Sequence, residues 1–252
     1  MAAVLPSARV RIGTAGWSIP KERSAPFRVR GSHLERYGAV FNAVEINSSF
    51  YRAHQTATYE RWTASVPEDF RFAVKIPKAN THERRLKDAG ELLDRFLSEI
   101  SGLLGPKLGP LLVQLLPSLG FVEGVADHFL AELRQRFAGG IVCEPRHASW
   151  FTSGVDSLLD EHKITRVAAD PAPIVGAGEP GGWRRLSYYR LHGAPRIYYS
   201  PYEAEALTRI AERLARDTAT GVETWCIFDN TATSVAAANA LTTKALAQAR
   251  RQ

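Results

Sequence analysis

The sequence predicts an α/β fold in which eight parallel strands alternate with helices and close into a barrel that lacks one helix. Three observations predict it. The chain has 252 residues, about the length that a barrel of eight strand–helix units needs. Eight short β-branched or aromatic runs recur along it, and segments with helical spacing separate most of them. Apolar residues make up 45% and charged residues 23%, as in globular proteins, so we expect one domain over residues 1–252.

The predicted strands are nearly continuous apolar runs, which is typical of a parallel sheet covered on both faces. Gly, Pro or Asn bounds most of them. They lie at residues 9–13, 43–47, 70–76, 110–115, 140–144, 165–170, 188–193 and 223–230.

The predicted helices have apolar residues at intervals of three and four. They lie at residues 33–41, 58–66, 86–104, 122–137, 155–162, 203–218 and 234–250. Residues 171–187 break the pattern, because this stretch is rich in Pro and Gly, which a helix interior does not tolerate. We therefore predict an irregular loop in place of the sixth helix and consider this loop a candidate lid.

Composition and motifs exclude several classes of protein. No apolar run is long enough to cross a bilayer and the N-terminus does not resemble a secretory signal, so we expect a cytoplasmic protein without a membrane partner. Cys143 and Cys226 lie in apolar runs, which predicts buried thiols. Phosphate-loop, dinucleotide-binding, zinc-protease and nucleophile-elbow motifs are all missing, so the sequence indicates no particular cofactor. A net charge of +6 is compatible with an anionic ligand.

Polar residues recur at or just after the ends of the predicted strands. Glu45 and Asn47 share one face of their strand, and Arg190 and His192 share one face of theirs. Because the carboxyl ends of parallel strands meet at one rim of a barrel, we expect these side chains to gather there. A purely structural ion-pair network is the alternative, although it would carry a large desolvation cost.

Six segments together resemble the domain-of-unknown-function 72 family, the YecE-like proteins, from about Gly13 to Leu241. They are residues 37–52, 72–82, 108–121, 143–151, 188–195 and 227–240. The resemblance implies a TIM-barrel-like fold in a bacterial or archaeal cytosolic protein and implies no known reaction. The family's recurring polar positions correspond here to Glu45, Asn47, Tyr51, Lys75, His82, Gln114, Glu144, Arg146, Ser149, Trp150, Asp170, Arg190, His192, Gly193 and Asn230.

The sequence departs from the family in three places. The loop after Gly16 and Trp17 lacks the family's second tryptophan and its Phe-Tyr-Pro-like element. Leu116 stands where the family often has a proline, and Asp229 stands where an asparagine is common. The first departure affects what this loop contributes to a ligand pocket.

The favoured hypothesis is an enzyme that performs acid/base chemistry on a phosphorylated or carboxylated small molecule. The predicted catalytic residues are Glu45, Lys75, Glu144 and His192. Lys75 is also a candidate for a Schiff base. The predicted substrate-binding residues are Asn47, Tyr51, Arg52, His82, Gln114, Arg146, Trp150, Asp170, Arg190, Asp229 and Asn230.

Two alternatives remain. The first is a metal-dependent hydrolase or isomerase, with a divalent cation held by residues drawn from Glu45, His82, Glu144, His192 and Asp229. The second is a protein that binds nucleic acid or a nucleotide without catalysis. In that case bases would stack on aromatic residues, and Arg184 and Arg185 would lie near phosphate. The aromatic candidates are Trp17, Tyr51, Trp150, Trp183, Tyr198 and Tyr199.

Overall fold

The structure is a computed structural model and describes residues 9–21 and 24–250. It contains ten strands: β1 (Val10–Thr14), β2 (Ala43–Ile46), β3 (Arg71–Lys75), β4 (Leu108–Gln114), β5 (Ile141–Glu144), β6 (Ile164–Arg166), β7 (Ala168–Asp170), β8 (Gly181–Gly182), β9 (Leu186–Leu191) and β10 (Glu223–Phe228). Seven α-helices lie in the same described ranges: α1 (His33–Gly38), α2 (Thr56–Ala64), α3 (Gly90–Leu104), α4 (Glu123–Arg136), α5 (Ser153–Glu161), α6 (Ala204–Ala219) and α7 (Ala236–Ala249). No helix among these residues is both long and apolar enough to cross a membrane.

The strands form two sheets of different size. One has the order β1-β10-β9-β7, and the other has the order β2-β3-β4-β5-β6-β8. All neighbouring strands are parallel except β6 and β8. The ladders therefore do not close into one continuous barrel, and the structure establishes an α/β fold with parallel sheets. An isolated bridge between Ala15 and Glu45 links the two sheets on one side.

The sixth predicted strand is divided between the two sheets. Its first part, β6, pairs with β5, and its second part, β7, pairs with β9. Val167 lies between the parts and donates its backbone N–H to the Cys143 carbonyl at 2.8 Å. The same run of chain thus contacts both sheets.

Side chains on the two faces of the strands enter different clusters. Val44 and Ile46 belong to the large apolar core that includes the helices, as the alternation of strand side chains predicts. A smaller cluster consists of buried hydrophobic residues from both sheets, whose side chains point away from the helices. Its members are Ala43, Ala73, Leu112, Val142, Val167, Leu186, Tyr188, Trp225 and Ile227. We call this set the inner layer. It shows that the two sheets face a common interior.

Most predicted helices are present with slightly different ends. Helix α1 is shorter than predicted: Ser32 and Glu35 cap its start in a reciprocal pair of hydrogen bonds, and it ends at Gly38. Three short helices that the apolar pattern did not indicate follow strand ends, namely the 3₁₀ turns Ser48–Phe50 and Ala148–Trp150 and the π-helix Ala79–Glu83.

The Pro- and Gly-rich stretch contains no α-helix. Its two-residue strand β8 pairs in antiparallel fashion with β6, at Thr165 and Arg166. The Arg166 guanidinium also donates to the Gly176 carbonyl at 3.2 Å and forms a salt bridge with Asp156 at 2.8 Å. The second half of the stretch is therefore attached to the edge of the sheet. A lid function for residues 171–187 stays a prediction.

Candidate functional site

Arg190 lies at the centre of a buried cluster of charged side chains. We call it the ionised cluster, and its members are Glu45, Lys75, Glu144, Arg146, Arg190, His192 and Asp229. Its guanidinium forms a two-pronged ion pair with Glu45, with Nε–Oε2 at 3.0 Å and Nη2–Oε1 at 2.7 Å. It also donates to Glu144 Oε2 at 2.5 Å and to Asp229 Oδ2 at 3.0 Å. Arg190 has no exposed surface. One cation therefore holds three carboxylates that lie far apart in the sequence.

The strand alternation brings these residues together. On six strands, the polar residue lies two positions after a member of the inner layer and so points to the same interior. The pairs are Ala43 and Glu45, Ala73 and Lys75, Leu112 and Gln114, Val142 and Glu144, Tyr188 and Arg190, and Ile227 and Asp229. The polar residues form the next layer toward the carboxyl ends of the strands.

Glu144 is the second centre of the cluster. Besides Arg190, its carboxylate accepts hydrogen bonds from Gln114 Nε2 at 3.2 Å and Arg146 Nη2 at 3.2 Å. Gln114 and Glu144 are register partners on neighbouring strands, which places their side chains side by side. Glu144 thus joins the deep part of the cluster to Arg146, whose side chain is one-quarter exposed.

His192 bridges two carboxylates. Its Nδ1 lies 3.1 Å from Asp229 Oδ2, and its Nε2 lies 3.1 Å from Glu144 Oε1. Burial alone would lower the pKa of His192, but the two carboxylates outweigh burial and raise this pKa above its ordinary value. A doubly protonated imidazolium, which donates from both nitrogens, fits this geometry.

The pKa values of the two carboxyls that His192 contacts are lowered, not raised. Burial would raise the pKa of Glu144, but Arg190 and His192 hold it well below its ordinary value. The pKa of Asp229 is lowered in the same way, chiefly because Arg190 outweighs burial. Glu144 and Asp229 are therefore ionised at neutral pH.

Lys75 differs from every other cation of the cluster. Its Nζ donates to Gln114 Oε1 at 2.6 Å and lies 3.9 Å from the ring centre of Phe50. No carboxylate oxygen of the described chain lies within 4.0 Å of this nitrogen. Burial, reinforced by Arg190, lowers the pKa of Lys75 to about 8. Lys75 is thus a buried amine that has no direct counter-ion.

Two further side chains, Tyr198 and His82, lie at the outer part of the cluster. Tyr198 accepts a hydrogen bond from Arg146 Nη2 at 3.2 Å, and its ring lies edge-on to His192. His82, from the π-helix, packs against Phe50 with ring centres 4.8 Å apart. Burial and the charges of Lys75 and Arg146 lower the pKa of His82. The outer part therefore includes a neutral imidazole near two cations.

Several predicted binding residues lie away from the cluster or serve the fold. Trp150 is buried and donates its indole N–H to the Leu119 carbonyl at 2.9 Å, which is a packing role. Asn230 donates to Ser200 O and Asn239 Oδ1, and Asp170 accepts from the Tyr202 hydroxyl.

The other distant residues belong to the chain that follows β2. Tyr51 is 73% exposed, and it lines with Arg52 a separate cavity of about 260 Å³ beside helix α3. Asn47, at the end of β2, has a buried Oδ1 without a hydrogen-bond partner. The structure places none of these three in contact with the ionised cluster.

Sequence reasoning missed three members of the site. Tyr188 donates to Glu45 Oε2 at 2.8 Å, and its position two residues before Arg190 could have indicated this. Phe50 packs under Lys75, and nothing in its short apolar context signals that role. The sequence indicated Tyr198 only as a candidate for base stacking. Its backbone has a φ of 69°, which is rare for residues other than glycine, and the sequence gives no sign of this conformation.

The metal alternative gains no support from the described residues. Among residues 9–21 and 24–250, no three His, Cys, Asp or Glu side chains are arranged so that they could hold a metal ion. The guanidinium of Arg190 already occupies the position between Glu45, Glu144 and Asp229.

The fold and the site together define an α/β protein with parallel sheets and an ionised cluster at the carboxyl ends of its strands. A family model described as "Protein of unknown function DUF72" matches residues 11–252. The chain belongs to this family.

Curated relatives and solved structures agree with this assignment. The chain is 32% identical to UPF0759 protein YecE of Escherichia coli over 174 residues, which cover 67% of this chain and 61% of YecE. It is 29% identical to UPF0759 protein YunF of Bacillus subtilis over 151 residues, 57% of this chain and 52% of YunF. The chain thus spans somewhat over half the length of these relatives.

Two crystal structures of DUF72 family proteins have the same fold. One from Thermotoga maritima has a TM-score of 0.78 at 26% identity and covers 95% of this chain and 99% of its own. One from Enterococcus faecalis has a TM-score of 0.79 at 21% identity, over 95% and 96% of the two chains.

Proposed function

We propose that this protein is an enzyme that performs acid/base chemistry on a small anionic molecule, phosphorylated or carboxylated, at the ionised cluster. One observation carries the proposal: Lys75 is a buried amine without a carboxylate partner, next to three carboxylates that Arg190 and His192 already engage. Burial of a charge without its counter-ion is costly, so a protein retains it where a ligand supplies the opposite charge.

In this proposal the cluster has a fixed part and a reacting part. Glu45 was predicted as catalytic, but both its oxygens bind Arg190 or Tyr188 and it is fully buried, so we assign it a positioning role. Arg190 and Asp229 belong to the same fixed part. Lys75 and Arg146 would bind the anion, because each keeps N–H donors beyond those used within the protein.

Proton transfer would involve Lys75 and the pair of His192 and Glu144. A pKa of about 8 leaves Lys75 partly neutral near physiological pH, so it can accept a proton from the substrate or attack a carbonyl carbon. His192, protonated between its two carboxylates, can supply a proton from Nε2 to Glu144, and the Glu144 carboxyl can pass it to the substrate. The two groups therefore have complementary protonation states at the same pH, as acid/base catalysis requires.

We also propose that the two sheets form one barrel with an irregular wall. The bridge between Ala15 and Glu45 on one side and the divided strand around Val167 on the other support it, as does the shared inner layer. The ionised cluster would then lie at the carboxyl-end mouth, where barrel enzymes of this type have their active sites.

A panel of phosphorylated and carboxylated metabolites, screened for turnover and for thermal stabilisation of the purified protein, tests the function. Lys75→Met should fail to convert any compound that the wild type converts, while Lys87→Met, which removes an exposed lysine, should behave like the wild type. Turnover that survives Lys75→Met unchanged would contradict the proposal.

A further inference from the structure

A second cavity lies at the opposite end of the strands from the ionised cluster. It has a volume of about 450 Å³, within the range of small-molecule sites, which is roughly 300–1,000 Å³. Arg71 and Glu223, which line it, are the first residues of β3 and β10 and lie two positions before the inner-layer residues Ala73 and Trp225. The inner layer therefore separates this cavity from the proposed active site.

The cavity carries a large excess of positive charge. Five cationic side chains line it, namely Arg11, Arg71, Arg134, Lys163 and Arg185, and Glu223 is the only carboxylate among the lining residues. Glu223 pairs with Arg11 at 3.3 Å. Burial lowers the pKa of Arg11, and repulsion from Arg71 contributes to the same shift. The described protein thus neutralises only one of these five charges.

Backbone carbonyls hold three of the guanidinium groups in place, those of Arg11, Arg71 and Arg134. Arg71 Nη1 donates to the Glu68 and Phe70 carbonyls, at 2.8 and 2.9 Å. Arg11 Nη1 donates to the Asn42 and Asp69 carbonyls, at 3.3 and 2.9 Å. Arg134 donates to four carbonyls, among them Gly139 and Lys163 at 2.9 and 2.8 Å. Carbonyl dipoles orient these groups without cancelling their charge, so the positive field is largely preorganised.

The two remaining cations, Lys163 and Arg185, are exposed. Lys163 and Arg185 form no salt bridge within the described residues. Lys163 precedes β6 and Arg185 precedes β9, so both lie at the rim of the cavity. Exposed flexible cations of this kind are suited to phosphate groups.

Two tryptophans complete the lining. Trp225 is fully buried and forms part of the floor, with Arg11 5.7 Å from its ring centre. Trp183 is half-buried, and its backbone is fixed because its N–H binds the Ile164 carbonyl and its carbonyl accepts from Thr165 Oγ1. Its side chain packs against the inner layer, so Trp183 offers an aromatic surface beside the cations, on which a planar base can stack.

We propose that this cavity binds a nucleotide, with its phosphates on the cationic side chains and its base against Trp183. A mononucleotide suits a cavity of this size and uses both the charge and the aromatic surface, whereas a simple inorganic anion uses only the charge. The site is independent of the proposed catalytic function, because no residue of the ionised cluster lines it.

Isothermal titration calorimetry of the full chain with ATP, pyrophosphate, adenosine and an eight-residue oligothymidylate tests this proposal. ATP should bind more tightly than pyrophosphate or adenosine, with an affinity that falls as salt increases. The double variant Lys163→Ala/Arg185→Ala should weaken ATP binding by about tenfold or more, because two charge-assisted contacts are lost. Arg216→Ala removes an exposed arginine of α6 and is the matched control, and it should bind ATP as the wild type does. Lys75→Met should also bind normally.

Four results would overturn the proposal. They are absence of ATP binding at millimolar concentration, equal affinity for pyrophosphate and ATP, tighter binding of the oligonucleotide than of ATP, and an unchanged affinity in the double variant. A Trp183→Leu variant separates the two halves of the site. It should weaken ATP binding but leave pyrophosphate binding unchanged, and equal loss for both ligands would contradict base stacking.

Discussion

Arg190 and Glu45 lie on different sheets and bind each other through two parallel hydrogen bonds, at 2.7 and 3.0 Å. Arg190 extends from β9 and Glu45 from β2, 145 residues apart in the chain. Their pairing therefore links the two sheets just beyond the apolar inner layer. The other carboxylate partners of Arg190 come from β5 and from the residue after β10, so a single guanidinium organises four segments of the chain.

Replacement of Arg190 by methionine should destabilise the protein strongly. Three buried carboxylates would lose their common cation, and removal of one partner from a buried ion pair costs about 3–5 kcal/mol. Arg146→Met is the control within the same cluster, because Arg146 also binds Glu144 but is partly exposed, and it should cost much less. Urea denaturation measures both, and equal losses would contradict the central role of Arg190.

Acid should destabilise the protein through Glu144 and Asp229. The pKa of each carboxyl is lower in the folded protein than in the unfolded chain, so the ionised forms stabilise the fold above about pH 4. This contribution disappears as the pH falls through the folded pKa values. Thermal unfolding between pH 2 and 6 should show the decline, and Glu144→Gln should show a shallower one from a lower starting stability.

The contribution of His192 to stability should depend on pH in the opposite direction, with a loss as the pH rises. Its pKa is raised in the folded protein, so its contribution to stability is complete below about pH 6.5 and is lost as the pH rises through the folded value. His192→Asn should remove this part of the pH dependence. If the wild type and the variant had parallel stability profiles between pH 6 and 8, His192 would not be a protonated bridge.

Lys75→Met should stabilise the protein while it removes function. A folded pKa of about 8 instead of 10.5 means that the ammonium is unfavourable in its buried site at neutral pH. Methionine fits against Phe50 without this penalty but leaves Gln114 Oε1 without its donor, so we expect a net gain of about 1–2 kcal/mol. Chemical denaturation at pH 7 measures it, and a loss of stability would mean that Lys75 is a structural cation.

Much of the site could be predicted from the sequence because strand alternation is strict. The placement of Glu45, Lys75, Gln114, Glu144, Arg190 and Asp229 follows from a period of two and from strands that end at the same rim. Their assignment to fixed and reacting parts could not be predicted in this way, since it depends on which oxygen each donor reaches.

Residues beyond the strand ends were harder to place, because loops have no period that fixes the direction of a side chain. Trp150 and Asn230 occur in motifs that resemble the family's, but here they support the packing of loops. Trp183 and Arg185 lie in the Pro- and Gly-rich stretch, which suggested a lid over the ionised cluster. The attachment of this stretch to β6 places both residues at the other end of the strands.

The protonation of Lys75 is the most direct test of the account. The protein can be labelled by limited reductive methylation with ¹³C-formaldehyde, and the resonance of Lys75, assigned with Lys75→Arg, can be followed by NMR from pH 6 to 11. We expect titration near pH 8, and a shift of this pKa upward when a bound anion supplies the missing counter-ion. Titration at the ordinary lysine value, unaffected by any anion, would contradict the proposal that Lys75 is an uncompensated buried amine.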